Sequence, residues 1–583
     1  MTRAIGAGCA GLLITACLVF GLSTGSPLIP RWLVIYSGAA FATACFAVAI
    51  FRTRLVTLST SELLAAGFIA YLVVTLAWSS DPRDGLLTAE AIGVLWLLYV
   101  ALQRLPRVAL VTAVYIGSTV ALAGLLVFGF AFPEHYGSMG NENYQSEVLC
   151  VLSPLVVAAW CAIRTPVWWV RPFALPISLA ALWFILFENL SDSKWVAVCA
   201  VGAALMLWLI KRRRYYTAGF GFLIPLNVAL WSGWATSSVV TKAIMHRLEI
   251  GFNTAVLWSE KPLFGHGLGS FNFEYGRVQE AHLQWFPNMD TVLRPASVFA
   301  GAAHNELLQL GADAGLVGVL IAFSLIGLVA HRFFTKEKDA LDIGAAMALL
   351  VVAALSQISF PLQNPATVTV VVFAAAALMQ GERPALTFRL PRQASLALLA
   401  LGVALVVSST TYFRAERVFR ATKSYIEIAH PAALQANLDA YQLYPFERRY
   451  RHQLILTVGA LLKVAHGDVT ITRAAADQAY KIAKTAATHT PAVKMTRLEY
   501  LLNNDFWKTD GEEIDQLLSW LTVHASLQPG VWLADGAYAL RIGDVARLIK
   551  AINTGTALPT QTHRSGFEYL AGYLRAPPTE TPS

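Results

Sequence analysis

Charge is what this sequence has least of. Only 14% of its 583 residues are Asp, Glu, Lys or Arg, against about a quarter in ordinary soluble domains. Meanwhile 56% are hydrophobic and the mean hydropathy is +0.54. That balance excludes a water-soluble globular protein and implies an integral membrane protein. Cysteine is scarce as well. Cys9, Cys17, Cys45, Cys150, Cys161 and Cys199 all lie in or beside apolar stretches, and none follows position 199. Neither a disulfide framework nor a Cys-x-x-Cys metal site is visible. Ile14-Thr15-Ala16-Cys17 has the pattern of a lipidation box, although a first membrane helix rich in small residues accounts for it better. There is no Walker loop, so ATP is not the expected energy source. No metal motif stands out on the polar side, so no cofactor is expected. The formal net charge of +8 would suggest nucleic acid in a soluble protein. Here the excess is explained by basic loops on one side of a membrane, and no nucleic-acid partner is expected.

What is present is a series of apolar runs of the length that spans a bilayer, about 17–25 residues. Thirteen are readable, at about 5–22, 32–51, 62–78, 89–103, 108–131, 146–163, 172–188, 194–210, 216–231, 306–331, 341–359, 365–380 and 395–412. The fourth is short enough to be re-entrant. With the N-terminus inside, the inner loops carry Arg52 and Arg54, Arg104 and Arg107, Arg164 and Arg171, then Lys211 to Arg214. Later inner loops carry Arg332, Lys336 and Lys338, then Arg383, Arg389 and Arg392. The short outer loops carry only Arg31, Arg83 and Lys194. The alternation supports both the count and the orientation, and it places the C-terminal region outside.

The expected fold is therefore an all-α polytopic membrane protein of about 12–13 transmembrane helices. Its parts are membrane helices over 1–231, a long outer loop over 232–305 and further membrane helices over 306–412. From about 413 charge density rises and helix-length stretches alternate with prolines, as before Pro445, Pro491 and Pro529. This pattern predicts an outer helical-repeat domain of tetratricopeptide type over 413–575, built to bind a protein partner, with a simple helical cap as the alternative. A disordered tail, 576–583, follows.

Three polar features then face outward together. They are Gly140-Asn141-Glu142-Asn143-Tyr144, Ser191-Asp192-Ser193-Lys194, and the long loop ending in His304. Within that loop, residues 245–260 read as an amphipathic helix with Leu248, Phe252 and Ala255 on one face and Arg247 near its start. Gly265, Gly267 and Gly269 follow. No buried strand precedes them and no βαβ unit surrounds them, so they mark a tight turn toward the membrane, not a dinucleotide loop. Arg294 lies ten residues before His304. The short hairpin Ser359-Phe360-Pro361-Leu362-Gln363-Asn364-Pro365 is placed to add polar groups to the same cavity, although prolines and an asparagine also suit any turn.

The chain is organised around residues 301–318. If this stretch is helical, His304, Leu308, Gly311, Gly315 and Gly318 return to one face, with Glu306 and Asp313 roughly opposite. A glycine stripe lets a neighbouring helix approach closely and would hold His304 at the membrane–water boundary. An ionisable residue at that depth is a functional candidate. The alternative is a histidine that merely begins a helix at headgroup level. A histidine can take a proton from a hydroxyl, and arginines can hold a departing diphosphate through forked, permanently charged contacts. Lys194 serves the same purpose as a point charge, or simply snorkels to the headgroups.

His304-Asn305, nine residues, Gly315, two residues and Gly318 resemble the signature of the O-antigen ligase superfamily. Arg247, Pro262-Leu263-Phe264-Gly265-His266-Gly267 with Phe271, Gly140-Asn141 with Asn143, and the Ser191/Ser193/Lys194 cluster are similar to its other motifs. The resemblance covers roughly residues 60–380. It implies a bacterial inner-membrane glycosyltransferase, working on the periplasmic face without metal or nucleotide. Such an enzyme moves a glycan from undecaprenyl diphosphate to lipid A-core, to a growing polysaccharide or to a protein. It further implies that His304 deprotonates the acceptor hydroxyl for inverting attack. Arg247, with Arg294 or Lys194, would hold the lipid diphosphate, and Asn305 and Asn141 would line the substrate site. The family often has arginine where this chain has Lys194, which weakens that assignment. A transporter is the main rival, and it would show paired broken helices and internal repeats; no repeat relates the two halves. A scaffold would not need so many spans.

Overall fold

The computed structural model describes residues 2–18, 29–131, 142–162, 165–188, 238–283, 302–335, 339–357, 359–427, 430, 432–464, 471–485, 491–504, 506–524, 529–558 and 564–575. The spans expected at 194–210 and 216–231 lie outside these residues, as do Asn141, Lys194 and Arg294.

The first part of the chain is helical. Its elements are α1 (Thr2–Leu18), α2 (Ile29–Thr53), α3 (Thr60–Thr75), α4 (Pro82–Gln103), α5 (Arg107–Ala131), α6 (Glu142–Cys161), α7 (Arg171–Trp183) and α8 (Ser238–Glu260). After α9 (Phe271–Leu283) come α10 (Glu306–Thr335), α11 (Ala340–Leu355), α12 (Pro365–Met379) and α13 (Gln393–Glu427). Seven helices among the described residues are long and apolar enough to cross a membrane, and α1, α11 and α12 are shorter apolar helices. One two-stranded sheet interrupts the all-helical expectation: β1 (Leu55–Ser59) pairs antiparallel with β2 (Pro384–Arg389).

The chain divides into two units, Met1–Phe271 with Ala302–Arg417, and Asn272–Gly301 with Val418–Ser583. The core of the first unit is drawn from α1, α4, α5, α6, α7, α11 and α12. Helix α12 is buried almost all round, with Ala374, Ala376 and Ala377 fully enclosed. Small side chains of this kind let helices close on one another where lipid supplies no hydrophobic drive between them.

Two helix starts carry capping boxes, and both are tied to arginines. Ser59 and Glu62 form a capping box on α3, and Asp339 with Asp342 forms another on α11, each contributing about 1 kcal/mol. Arg104 forms an ion pair with Glu62. Arg107 bonds Asp339 at 2.8 Å and Asp342 at 2.7 Å. The two arginines bracketing the turn between α4 and α5 thus hold the capping carboxylates of two other helices.

The second unit is helical among the described residues. Helices α14 (Ala432–Leu443), α15 (Arg448–Val464), α16 (Arg473–Lys484), α17 (Pro491–Asn503), α18 (Gly511–His524), α19 (Pro529–Ile542), α20 (Val545–Thr556) and α21 (Arg564–Arg575) follow one another with short connections. Several are amphipathic: α16 buries Ala476, Ala479 and Ala483, and α20 buries Leu548, Ala551 and Ile552. Arg497 forks onto Glu513 at 3.0 Å and reaches Asp477 at 2.6 Å, linking α17 to α18 and α16.

The expectation for 245–260 needs two corrections. The helix begins at Ser238. Leu248 and Phe252 are exposed, 61% and 41%, while Ile250, Asn253, Thr254 and Leu257 form the buried face. The face of Leu248, Phe252 and Ala255 is exposed, and the buried face mixes apolar and polar side chains, with Thr254 Oγ1 donating to the Ile250 carbonyl of its own helix at 2.6 Å.

The larger correction concerns the glycine stripe. Helix α10 starts at Glu306, so His304 lies outside it, and Gly315 breaks the helix with φ 65 and ψ −170. The single face drawn through His304, Gly311, Gly315 and Gly318 does not exist. The reason is the loop at 262–271, whose three glycines all take left-handed backbone, Gly265 (φ 68), Gly267 (φ 97) and Gly269 (φ 87). His266 N and Gly267 N donate to the carbonyls of Ala312 and Asp313 at 2.8 Å each, and Leu316 N and Val317 N donate to those of Pro262 and Leu263 at 2.8 and 3.2 Å. The fully buried loop end is closed by Phe271 N donating to Asp313 Oδ1 at 2.9 Å. The loop therefore takes over the hydrogen bonds that the broken helix gives up, as any non-helical backbone at membrane depth must. A Cβ at Gly315 would collide with the Leu263 carbonyl.

Two outcomes follow. Gly315→Ala combines disfavoured backbone with a backbone clash, and is expected to cost about 2–4 kcal/mol, read as a lowered thermal midpoint in detergent. In the second unit, burial and then the Arg448 charge push His452 down to about 4. The unfolded chain takes up this proton near the ordinary histidine value and the folded chain does not. Its contribution is therefore complete at neutral pH and is lost as pH falls from about 6.5 to 4. His452→Gln should flatten the stability–pH curve of wild type across that window.

Candidate active site

His304 has left-handed backbone, φ 52, a conformation uncommon for any residue but glycine and held only where surrounding structure over-determines it. The surroundings do so here. Before it, Ala303 N donates to Gln309 Oε1 at 3.0 Å. After it, Asn305 is the N-cap of α10, its Oδ1 accepting from Leu308 N at 3.0 Å, while its Nδ2 donates to the Gln357 carbonyl at 3.2 Å. Glu306 N donates to the Ser356 carbonyl at 2.9 Å, and a Glu306 carboxylate oxygen accepts from Leu362 N at 3.0 Å. The His-Asn pair thus divides its labour. Asn305 anchors the helix start to the end of α11, and His304 is left projecting from the turn ahead of it.

The hairpin between α11 and α12 forms the wall beside the imidazole. Phe360 meets the His304 ring edge-on, centroids 4.9 Å apart, and on its other side meets Tyr144 at 5.8 Å. Ser359 Oγ donates to Glu147 Oε1, and Asn364 Nδ2 donates to the Tyr144 carbonyl at 3.4 Å. Gln363 Nε2 donates to Gln309 Oε1 at 3.4 Å. The hairpin therefore clasps α6 on one side and α10 on the other.

Arg247 enters from α8. Its charge acts on the fully buried Glu147 carboxyl, and Glu147 in turn acts on Glu306. Helix α8 is fixed against α10 by Trp258, whose ring lies over Gly311, where a Cβ would come within 2.5 Å of it. Trp258 Nε1 also donates to the Pro262 carbonyl at 3.1 Å, binding the end of α8 to the loop that docks into the helix break.

The structure accordingly brings together His304, Asn305, Glu147, Arg247 and the 359–364 hairpin. Sequence reasoning missed Glu147, and it placed the 359–365 hairpin at the cavity for its polar groups without singling out Phe360 as the neighbour of His304. Glu147 left a signal: it is a carboxylate in an apolar run, a placement that membrane segments reserve for function or pairing. Chemically the arrangement combines a positioned imidazole, a guanidinium and a buried carboxylate in one region, the set needed to move a proton and to hold an anion.

Residues 177–323 match the family model of the O-antigen ligase. The matched stretch contains Arg247, the 262–271 loop, His304, Asn305, Gly315 and Gly318, so the O-antigen ligase superfamily resemblance now rests on the whole segment and not on short motifs alone. It ends before the hairpin and begins after Glu147. A search of curated proteins finds no match to the chain.

The Glu147–Ser359 contact is expected to fasten the hairpin. Glu147→Ala should cost about 2–3 kcal/mol, because it leaves buried polar groups without their partner. A double-mutant cycle with Ser359→Ala, followed by thermal unfolding in detergent, should give a coupling above about 0.5 kcal/mol. Strict additivity would show that the two side chains do not support each other.

Proposed function

We propose that this protein is a membrane glycosyltransferase that moves a glycan from undecaprenyl diphosphate to an acceptor hydroxyl on the periplasmic face of a bacterial inner membrane. The family match supports the coarser reading, an O-antigen ligase- or polymerase-like membrane glycosyltransferase. The observation that carries the finer reading is the location of His304, pinned outside α10 by Asn305, Gln309 and Glu306 and walled by Phe360, in the same region as Arg247.

In this reading the His304 imidazole takes the acceptor proton. The hydroxyl oxygen attacks the anomeric carbon as the bond from that carbon to the diphosphate oxygen breaks, and the configuration inverts. Undecaprenyl diphosphate leaves with the electron pair. A guanidinium suits that leaving group because its charge is permanent and its fork matches phosphate oxygens. Arg247 is assigned this role, with Arg294 or Lys194 as the second cation. Asn305, and Asn141 in the polar loop before α6, are assigned to substrate positioning. The buried Glu147 would then set the orientation of Arg247 when no donor is bound. The acceptor is lipid A-core, a growing polysaccharide or a protein, and the second, helical unit is assigned to recruiting it or an assembly partner.

The test is a deletion strain carrying His304→Ala or wild type at equal levels, with lipopolysaccharide, secreted polysaccharide and glycoproteins profiled together. Loss of the general base is expected to slow transfer by about 10²–10⁴-fold, with accumulation of lipid-linked glycan. The product that disappears identifies the acceptor. Full restoration by the alanine variant would remove His304 from the chemistry.

A further inference from the structure

Away from the candidate active site, at the far ends of α2 and α13, the fold gathers four arginines from two distant segments. Strand β1 leaves α2 and strand β2 leads into α13, and their pairing sets Leu55 opposite Arg389. Leu390 N extends the ladder by donating to the Arg54 carbonyl at 2.8 Å. This pairing brings the segment that carries Arg52 and Arg54 against the segment that carries Arg389 and Arg392. Arg54 holds left-handed backbone, φ 57, and the Arg392 guanidinium sits over the Phe51 ring, 5.3 Å from its centroid. All four arginines are exposed, and among the described residues none of them is ion-paired with an acid. The nearest acids in sequence are already engaged, Glu62 by Arg104 and Glu382 by Ser61.

The helices flanking this cluster are membrane-span candidates, and they pack on each other. A Cβ at Gly402 would lie 2.6 Å from Thr43 Oγ1, and Leu405 shares a buried cluster with Ala39 and Ala40. Large apolar side chains next to the arginines are exposed: Val48 50%, Phe51 54%, Leu55 47% and Leu396 66%. Like charges on two paired segments repel one another when no acid lies between them, and an anion bound among them relieves that repulsion. The apolar strip that continues from the cluster along α2 and α13 selects an anion that carries acyl chains.

We propose that Arg52, Arg54, Arg389 and Arg392, brought together by the β1–β2 ribbon, form a headgroup site for an anionic phospholipid whose acyl chains lie along α2 and α13. Guanidinium groups hold the phosphate through forked contacts, and basic pockets between membrane helices are suited to such headgroups. The site does not depend on the glycosyltransferase reading.

The test uses the full-length protein purified in neutral detergent. Thermal unfolding is followed with dioleoyl-phosphatidylglycerol, dioleoyl-phosphatidylcholine or inorganic phosphate added, and retained lipid is counted by native mass spectrometry. Phosphatidylglycerol should raise the midpoint and remain bound, and the other two should not. Combining Arg54→Gln, Arg389→Gln and Arg392→Gln should weaken phosphatidylglycerol binding by on the order of 100-fold. Arg564→Gln, at an exposed arginine paired with Glu568 at 3.3 Å, should leave it unchanged. If the triple variant fails to fold, Arg389→Gln alone should still show a several-fold loss. Equal binding by the variant and wild type would overturn the proposal. So would an equal response to phosphatidylcholine, or a shift reproduced by inorganic phosphate, which would indicate a site for free anions.

Discussion

The break in α10 at Gly315, and the loop that fills it, is the constraint on which the rest of the first unit depends. A helix interrupted among apolar neighbours leaves carbonyls and amides without partners, and each costs several kcal/mol unless something replaces the lost bond. The 262–271 loop supplies four backbone bonds across the gap, and Asp313 supplies another to Phe271. Tyr71 on α3 completes the arrangement by donating to the Ala314 carbonyl at 2.6 Å, and Thr75 accepts from Leu268 N at 3.1 Å. Three glycines in the loop and one in the helix are needed because all four positions take left-handed backbone against other backbone.

This junction fixes α8 to α10, and α8 carries Arg247, whose charge acts on Glu147. Trp258 is the connecting piece, with its ring over Gly311 and its indole nitrogen on the loop. The second support of the site is the hairpin after α11, held by Glu147 on α6 and by Gln309 and Glu306 on α10. A side chain poised by such independent ties loses little freedom when substrate arrives, which is the condition for effective proton transfer.

The remaining charges follow the same economy. Arg104 and Arg107 hold capping carboxylates, so the arginines at the turn between α4 and α5 also close the starts of α3 and α11. The Arg52, Arg54, Arg389 and Arg392 cluster differs, since it is exposed and lacks acidic partners among the described residues.

The apolar runs and the His304–Asn305 spacing were legible in the sequence because both obey local rules: a bilayer demands about 20 apolar residues, and a motif is a matter of spacing. Eleven of the thirteen expected spans fall on described helices, seven of which are long and apolar enough to cross a membrane. The break at Gly315 was not legible, because a glycine in an apolar helical pattern reads as a packing surface until another segment is seen to take its hydrogen bonds. The face that α8 buries was misread for a related reason: amphipathicity shows that a helix has two faces, not which of them meets protein. Glu147 with Ser359, Phe360 with Tyr144 and β1 with β2 join segments about 210 to 330 residues apart. The sequence by itself determined the solvent of this protein and the residue types its chemistry uses. Tertiary structure alone decided which of them meet, because those meetings rest on non-local hydrogen bonds that no local pattern encodes.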